Sequence, residues 1–138
     1  QLGINRVQEF LNKIEYGNQT TSSNLDLYWS DFSLKISPLE QVTLLKKFNT
    51  NEFHLNSQNV FSVKNAIKIA STPNGNFYGK TGTGRVNGQD INGWFIGYVE
   101  TSDNSYYFAT NIQSDSNATG KKAFEITSDI LKKLHIWN

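Results

Sequence analysis

Residues Phe77-Tyr78-Gly79-Lys80-Thr81-Gly82-Thr83-Gly84 put one cation and two hydroxyls on a backbone almost free of bulky side chains. Lysine supplies a point charge, and each hydroxyl can donate or accept a hydrogen bond. Glycine lets a ligand or another backbone come close. The stretch reads as an aromatic strand that delivers Lys80 to a sheet edge, where a small anion could be held. A second aromatic strand follows at Trp94-Phe95-Ile96-Gly97-Tyr98-Val99-Glu100. The plainer alternative is a glycine-rich hairpin with one exposed lysine.

Other chemistries fit less well. Gly75 to Thr81 approaches a phosphate-binding loop but is one residue short of the required spacing, and strand rather than helix surrounds it. The two histidines, His54 and His135, stand far apart in a chain without cysteine, so no metal site is expected. Glu100, Asp103 and Asp90 fall in or near turns and read as solvated charges. The sequons at Asn18 and Asn117 carry no weight in so asparagine-rich a chain.

Composition limits the rest. The chain has 138 residues, 37% hydrophobic and 18% charged, with a formal net charge of +1. One folded domain is the prior at this length. A charge so near neutral leaves no general nucleic-acid footprint. No apolar run approaches the roughly 20 residues that span a bilayer. The chain opens at Gln1 without Met, and is read as a piece of something longer.

Four helices and three strands are expected to position the lysine. Asn5 caps the first helix, with Val7, Phe10, Leu11 and Ile14 inward and a stop at Tyr16-Gly17-Asn18. A polar stretch over 19–36 contains Leu27, Tyr28, Trp29 and Phe32, too apolar for a plain linker. Ser37-Pro38-Leu39-Glu40 is a capping box with proline at the first helical position; Leu39, Val42, Leu45 and Phe48 continue its stripe. Ser57 caps a third helix that turns Val60, Val63, Ala66 and Ile67 inward, and residues 71–76 form a turn. Strands follow at 77–81, 94–100 and 105–112. Residues 82–93, with Asn87-Gly88 and Asn92-Gly93, and residues 101–104 connect them, so pairing is antiparallel. A last helix over 120–134 buries Ala123, Phe124, Ile126, Thr127, Ile130, Leu131 and Leu134. The expected class is α+β, an antiparallel sheet flanked by helices.

Taken together, these stretches resemble the penicillin-recognising serine acyl-transfer proteins. The nearest branch is the class D β-lactamases and the sensor domains of BlaR/MecR-type β-lactam receptors. The matching stretches are Tyr16-Gly17-Asn18, Trp29 with Ser33 to Pro38, Lys80 to Gly84, Gly93 to Glu100 and Phe108 to Ile112. The run from Val86 to Glu100, and Asn117 to Gly120, look more like the receptors than the secreted enzymes.

The resemblance implies a serine nucleophile and a carboxylated lysine base in a Ser-x-x-Lys motif. This sequence has no Ser-x-x-Lys, so both groups are expected outside it, and residues 1–138 are expected to be the C-terminal part of one penicillin-recognition domain. No other cofactor is implied. Among the residues present, Lys80 would supply positive potential, and Thr81 and Thr83 would offer hydroxyls to the ligand carboxylate. Lys80, Thr81, Gly82 and Thr83 would thus line the ligand. The Thr83 backbone N–H would be half of an oxyanion hole, and Trp29 would border the carboxylated lysine. The arginine that many class D enzymes use has no clear counterpart near Gly120.

The implied function is β-lactam sensing through a long-lived acyl-serine, with signalling of antibiotic resistance; the alternative is a hydrolysing class D β-lactamase. Whether the protein counts as an enzyme therefore stays open. The expected partners are the β-lactam, the rest of the domain and a membrane-spanning remainder. The expected place is the extracellular face of a bacterial membrane, or secreted or periplasmic for the hydrolase. A third reading is a non-catalytic peptidoglycan-peptide binding module working by strand addition along Lys80.

Overall fold

A computed structural model describes residues 3–21 and 33–138. The elements are helices α1 (Ile4–Lys13), α2 (Pro38–Asn49), α3 (Ser57–Ala66) and α4 (Gly120–Lys133), and strands β1 (Lys68–Thr72), β2 (Gly75–Val86), β3 (Gln89–Thr101) and β4 (Ser105–Gln113). The strands form one antiparallel sheet in the order β1-β2-β3-β4. The expected α+β arrangement holds, with four strands instead of three. Lys68–Thr72, of which only Ser71 and Thr72 carried an expectation, as turn, instead folds back on β2, and Thr72 pairs with Gly75.

The stretch expected to connect 82 to 93 is mostly strand. β2 and β3 stay paired from Gly75↔Thr101 to Val86↔Gln89, with one irregularity at Gly84/Arg85. Asn87 and Gly88 make the tight turn, both at positive φ (49° and 79°). That is the backbone a two-residue hairpin needs. Cross-strand pairing thus overrides the weak strand preference of glycine, asparagine and aspartate.

Side chains alternate between the two faces of the sheet. Phe77, Phe95 and Val99 face α4, where Ala123 and Leu131 complete the buried core. Phe108, Phe124 and Trp137 pack against it; the Phe77 and Phe95 rings meet edge to face at 6.0 Å, and Phe95 and Phe124 at 5.0 Å. A hydrogen bond between the Thr110 and Thr127 hydroxyls (2.7 Å) ties α4 to β4. On the other face, register partners Tyr78, Tyr98 and Tyr107 form a row across three strands. α2 covers that row, and its Asn49 Nδ2 donates to the Tyr107 hydroxyl (2.9 Å). Burial raises the pKa of Tyr98 strongly and that of Tyr78 less; the nearby Glu100 carboxylate adds to both.

The Ser37–Glu40 capping box of α2 is present as expected, with both reciprocal bonds. Other caps shift by a residue or two: Gly3, not Asn5, caps α1, and Asn56, not Ser57, caps α3. Several residues expected inside are exposed: Phe10 on α1, Leu39 on α2, Val63 on α3, Ile126 and Ile130 on α4, and Leu134 just after it. α3 buries none of its residues. Glu100 is no free carboxylate, because it lies 3.6 Å from Lys64 of α3. Asp90 likewise accepts from Arg85 Nε at 2.7 Å.

Candidate functional site

Beyond Gly79, β1 no longer accompanies β2, and one edge of β2 is left open. The Gly79 N–H donates to Ile67 O (2.8 Å), so it points away from β3. Backbone groups alternate in direction along a strand. The N–H groups of Thr81 and Thr83 therefore share that outward direction along the open edge. Lys80, Thr81, Gly82 and Thr83 are all exposed. The Lys80 side chain leaves the tyrosine face and curls back over the edge, where Nζ donates to Thr81 O (2.6 Å).

The two threonine side chains leave by the opposite face, towards α4. Gly120 N donates to Thr83 Oγ1 (2.9 Å), so the first turn of α4 rests against the strand. The approach is close: a Cβ at Gly120 would stand 2.6 Å from Gly82 O and 2.9 Å from Thr81 Cβ. One residue earlier, the Thr119 carbonyl crosses Gly93 of β3, again where no side chain would fit. Two glycines, Gly93 and Gly120, thus let the 118–120 segment lie on the sheet directly behind the open edge.

Lys80, Thr81, Gly82 and Thr83 therefore all lie on the open, exposed stretch of β2. An ammonium and two outward amide N–H groups thus lie along the open edge, with two hydroxyls on its α4 face, groups whose chemistry suits an anion or a developing oxyanion. Trp29 lies outside the described residues. Two surface depressions, one at Thr72–Asn76, Glu100–Ser102 and Ser105 and one at Lys46, Thr101, Asp103–Ser105 and Tyr107, lie at the far end of β2 and include none of the four residues. Among the described residues, no three His, Asp or Glu side chains gather into a possible metal site, and no helix is long and apolar enough to cross a membrane. Sequence reasoning gave Gly120 no role; its signal was a poor helix former placed at the first position of a helix.

The sequence and fold of the chain match known proteins. The penicillin binding protein transpeptidase domain family matches residues 1–132, and the chain belongs to that family. Within it, the chain is 45% identical over 130 residues to the methicillin resistance mecR1 protein of Staphylococcus aureus, covering 94% of this chain and 22% of that protein. The solved C-terminal domain of the Bacillus licheniformis BlaR penicillin-receptor superimposes with a TM-score of 0.94 at 45% identity, covering 100% of this chain and 56% of that chain. A class D β-lactamase from Bacillus subtilis superimposes with a TM-score of 0.90 at 36% identity, covering 99% of this chain and 55% of that one. The receptor is the nearer of these two structures, as the residues had suggested. The chain spans about a fifth of the length of the mecR1 protein and just over half of each solved domain.

Proposed function

We propose that this chain forms the lysine–threonine wall of a β-lactam-sensing domain. The observation that carries this reading is the open, exposed edge Lys80–Thr83, with its outward N–H groups and its lysine, in a chain similar to a penicillin receptor. A serine on polypeptide outside residues 1–138 attacks the lactam carbonyl. Its proton leaves to a base that is also outside this chain and ends on the lactam nitrogen as the C–N bond opens. The Thr83 N–H donates to the carbonyl oxygen as charge develops there, a role whose loss can cost roughly 3–4 kcal/mol of barrier. Lys80 supplies positive potential beside the serine and the ligand carboxylate. The hydroxyls of Thr81 and Thr83 donate to that carboxylate, and Trp29 borders the base.

The rest of the domain is expected to cover the apolar side chains left exposed on α3 and α4, among them Phe61, Val63, Ile126, Ile130 and Leu134. The acyl ester persists in this reading, and a membrane-spanning remainder carries the signal from the outer face of the cell. The 36% identity to a class D β-lactamase supports a second reading, a secreted or periplasmic hydrolase with the same edge and fast deacylation.

Label retention separates the two. The full-length parent protein is mixed with a fluorescent penicillin and the covalent label is followed over time. Retention over many minutes at one label per chain is the expected result. Release within seconds with repeated turnover would leave only the hydrolase, and absence of any covalent label would leave only the non-covalent binding module.

A further inference from the structure

The first amide of α4 has no acceptor inside its own helix, as for every helix N-terminus. Here that orphan N–H belongs to Gly120, and it donates to Thr83 Oγ1 at 2.9 Å. The helix's own cap is separate: the Thr119 hydroxyl accepts from Lys122 N. Accepting from Gly120 occupies one lone pair of the Thr83 hydroxyl. Its hydrogen cannot point at the amide, so it is turned away from α4. An oxygen that accepts one hydrogen bond also becomes a better donor in the next. The positive end of the 14-residue α4 reinforces this.

The contact exists only because residue 120 is glycine. A methyl there would meet Gly82 O at 2.6 Å, Gly82 N at 2.9 Å and Thr81 Cβ at 2.9 Å, and most of those atoms are backbone that cannot step aside. A side chain at 120 would lift the helix start from the strand and break the bond to Thr83.

We propose that Gly120 is a positioning residue for ligand capture: through its N–H it sets the Thr83 hydroxyl as a donor aimed at the ligand carboxylate. This rests on the sensing reading above. Thr83 makes the contact with ligand, and Gly120 acts through it.

The test measures acylation of the full-length protein by a fluorescent penicillin and, in parallel, by its methyl ester, which lacks the charge. Hydrogen bonds to charged groups are strong enough that loss of this one should slow acylation by the acid about ten-fold. Gly120→Ala and Thr83→Val should each show that loss, and acylation by the ester should fall by a clearly smaller factor. Thr83→Ser, which keeps the hydroxyl, should recover most of the rate. Adding Gly120→Ala to Thr83→Val should cost nothing further. Thr83 is exposed, so its variants report even if Gly120→Ala does not fold. Equal slowing of acid and ester, a Thr83→Val rate like that of wild type, or a double variant that loses the product of both effects would overturn the proposal. Wild-type protein that takes no label would remove the sensing reading as well; labelled wild type with unchanged variants would remove this proposal alone.

Discussion

From Gly75 to Tyr78, β2 has a neighbour on both sides; from Lys80 to Val86 it has one. The two halves share a strand and a partner, β3, yet differ in almost everything else. In the first half, Phe77, Tyr78 and Gly79 are buried, with aromatic rings above and below. In the second, Lys80 to Thr83 are exposed and carry the polar groups that could meet a ligand. The buried half fixes where the strand runs. The exposed half can then spend its edge amides on something other than a sheet neighbour, which unpaired strand edges otherwise leave open to aggregation.

Variants should separate the halves, and the largest effect should come from the buried one. Phe95→Ala removes a ring that is 1% exposed and touches Phe77, Phe108 and Phe124. A loss of about 3–5 kcal/mol in denaturant unfolding of the intact protein is expected; a loss below about 1 kcal/mol would mean the core is not centred there. Lys80→Ala should do the reverse. Acylation should fall on the order of 100-fold, with a melting temperature close to wild type, because exposed substitutions rarely cost more than about 0.5 kcal/mol. Equal damage to stability and acylation would erase the distinction between the halves.

The tyrosine row should show in alkaline titration. Tyr78 and Tyr98 have raised pKa values, from burial first and then from Glu100. The folded state therefore holds their protons longer than the unfolded chain does. Their contribution to stability is complete below the ordinary tyrosine pKa and is lost as pH rises towards the folded values. Ultraviolet absorbance should show tyrosines that ionise only as the protein unfolds. Smallest of all should be Arg85→Ala on the exposed half. The pair with Asp90 is short, but the arginine side chain is 64% exposed, so no more than about 1 kcal/mol is expected.

The sequence made the buried half legible through aromatic alternation, and the lysine edge through the conjunction of Lys80, two threonines and three glycines. The capping box of α2 was equally plain, because Ser37, Pro38 and Glu40 each satisfy a local rule. β1 was missed because Lys68 to Thr72 runs on from a helix and is too short to show a period; only its pairing with β2 makes it a strand. The outer parts of β2 and β3 were missed because their residues favour turns, and the ladder's continuation decides the matter. The inward residues of α3 and α4 were misjudged because a 3.6-residue stripe says which face is apolar, not whether anything among residues 3–21 and 33–138 lies against it. Glu100 found its partner, Lys64, far away in sequence, which no local pattern announces, and Asp90 met Arg85 only because the two strands close on the Asn87-Gly88 turn.

Gly79 and Gly97 sit opposite each other in β2 and β3. The Phe95 ring fills the space where a Gly79 side chain would project, and the Gly97 position is closed by the Tyr78 carbonyl and the Phe108 ring. A lineage drifting from this sequence could not enlarge position 79 without first shrinking position 95, and the smaller ring would loosen the core before any gain arrived. The glycine and the phenylalanine are thus sterically coupled, because a side chain at 79 and the full ring at 95 cannot share the same space.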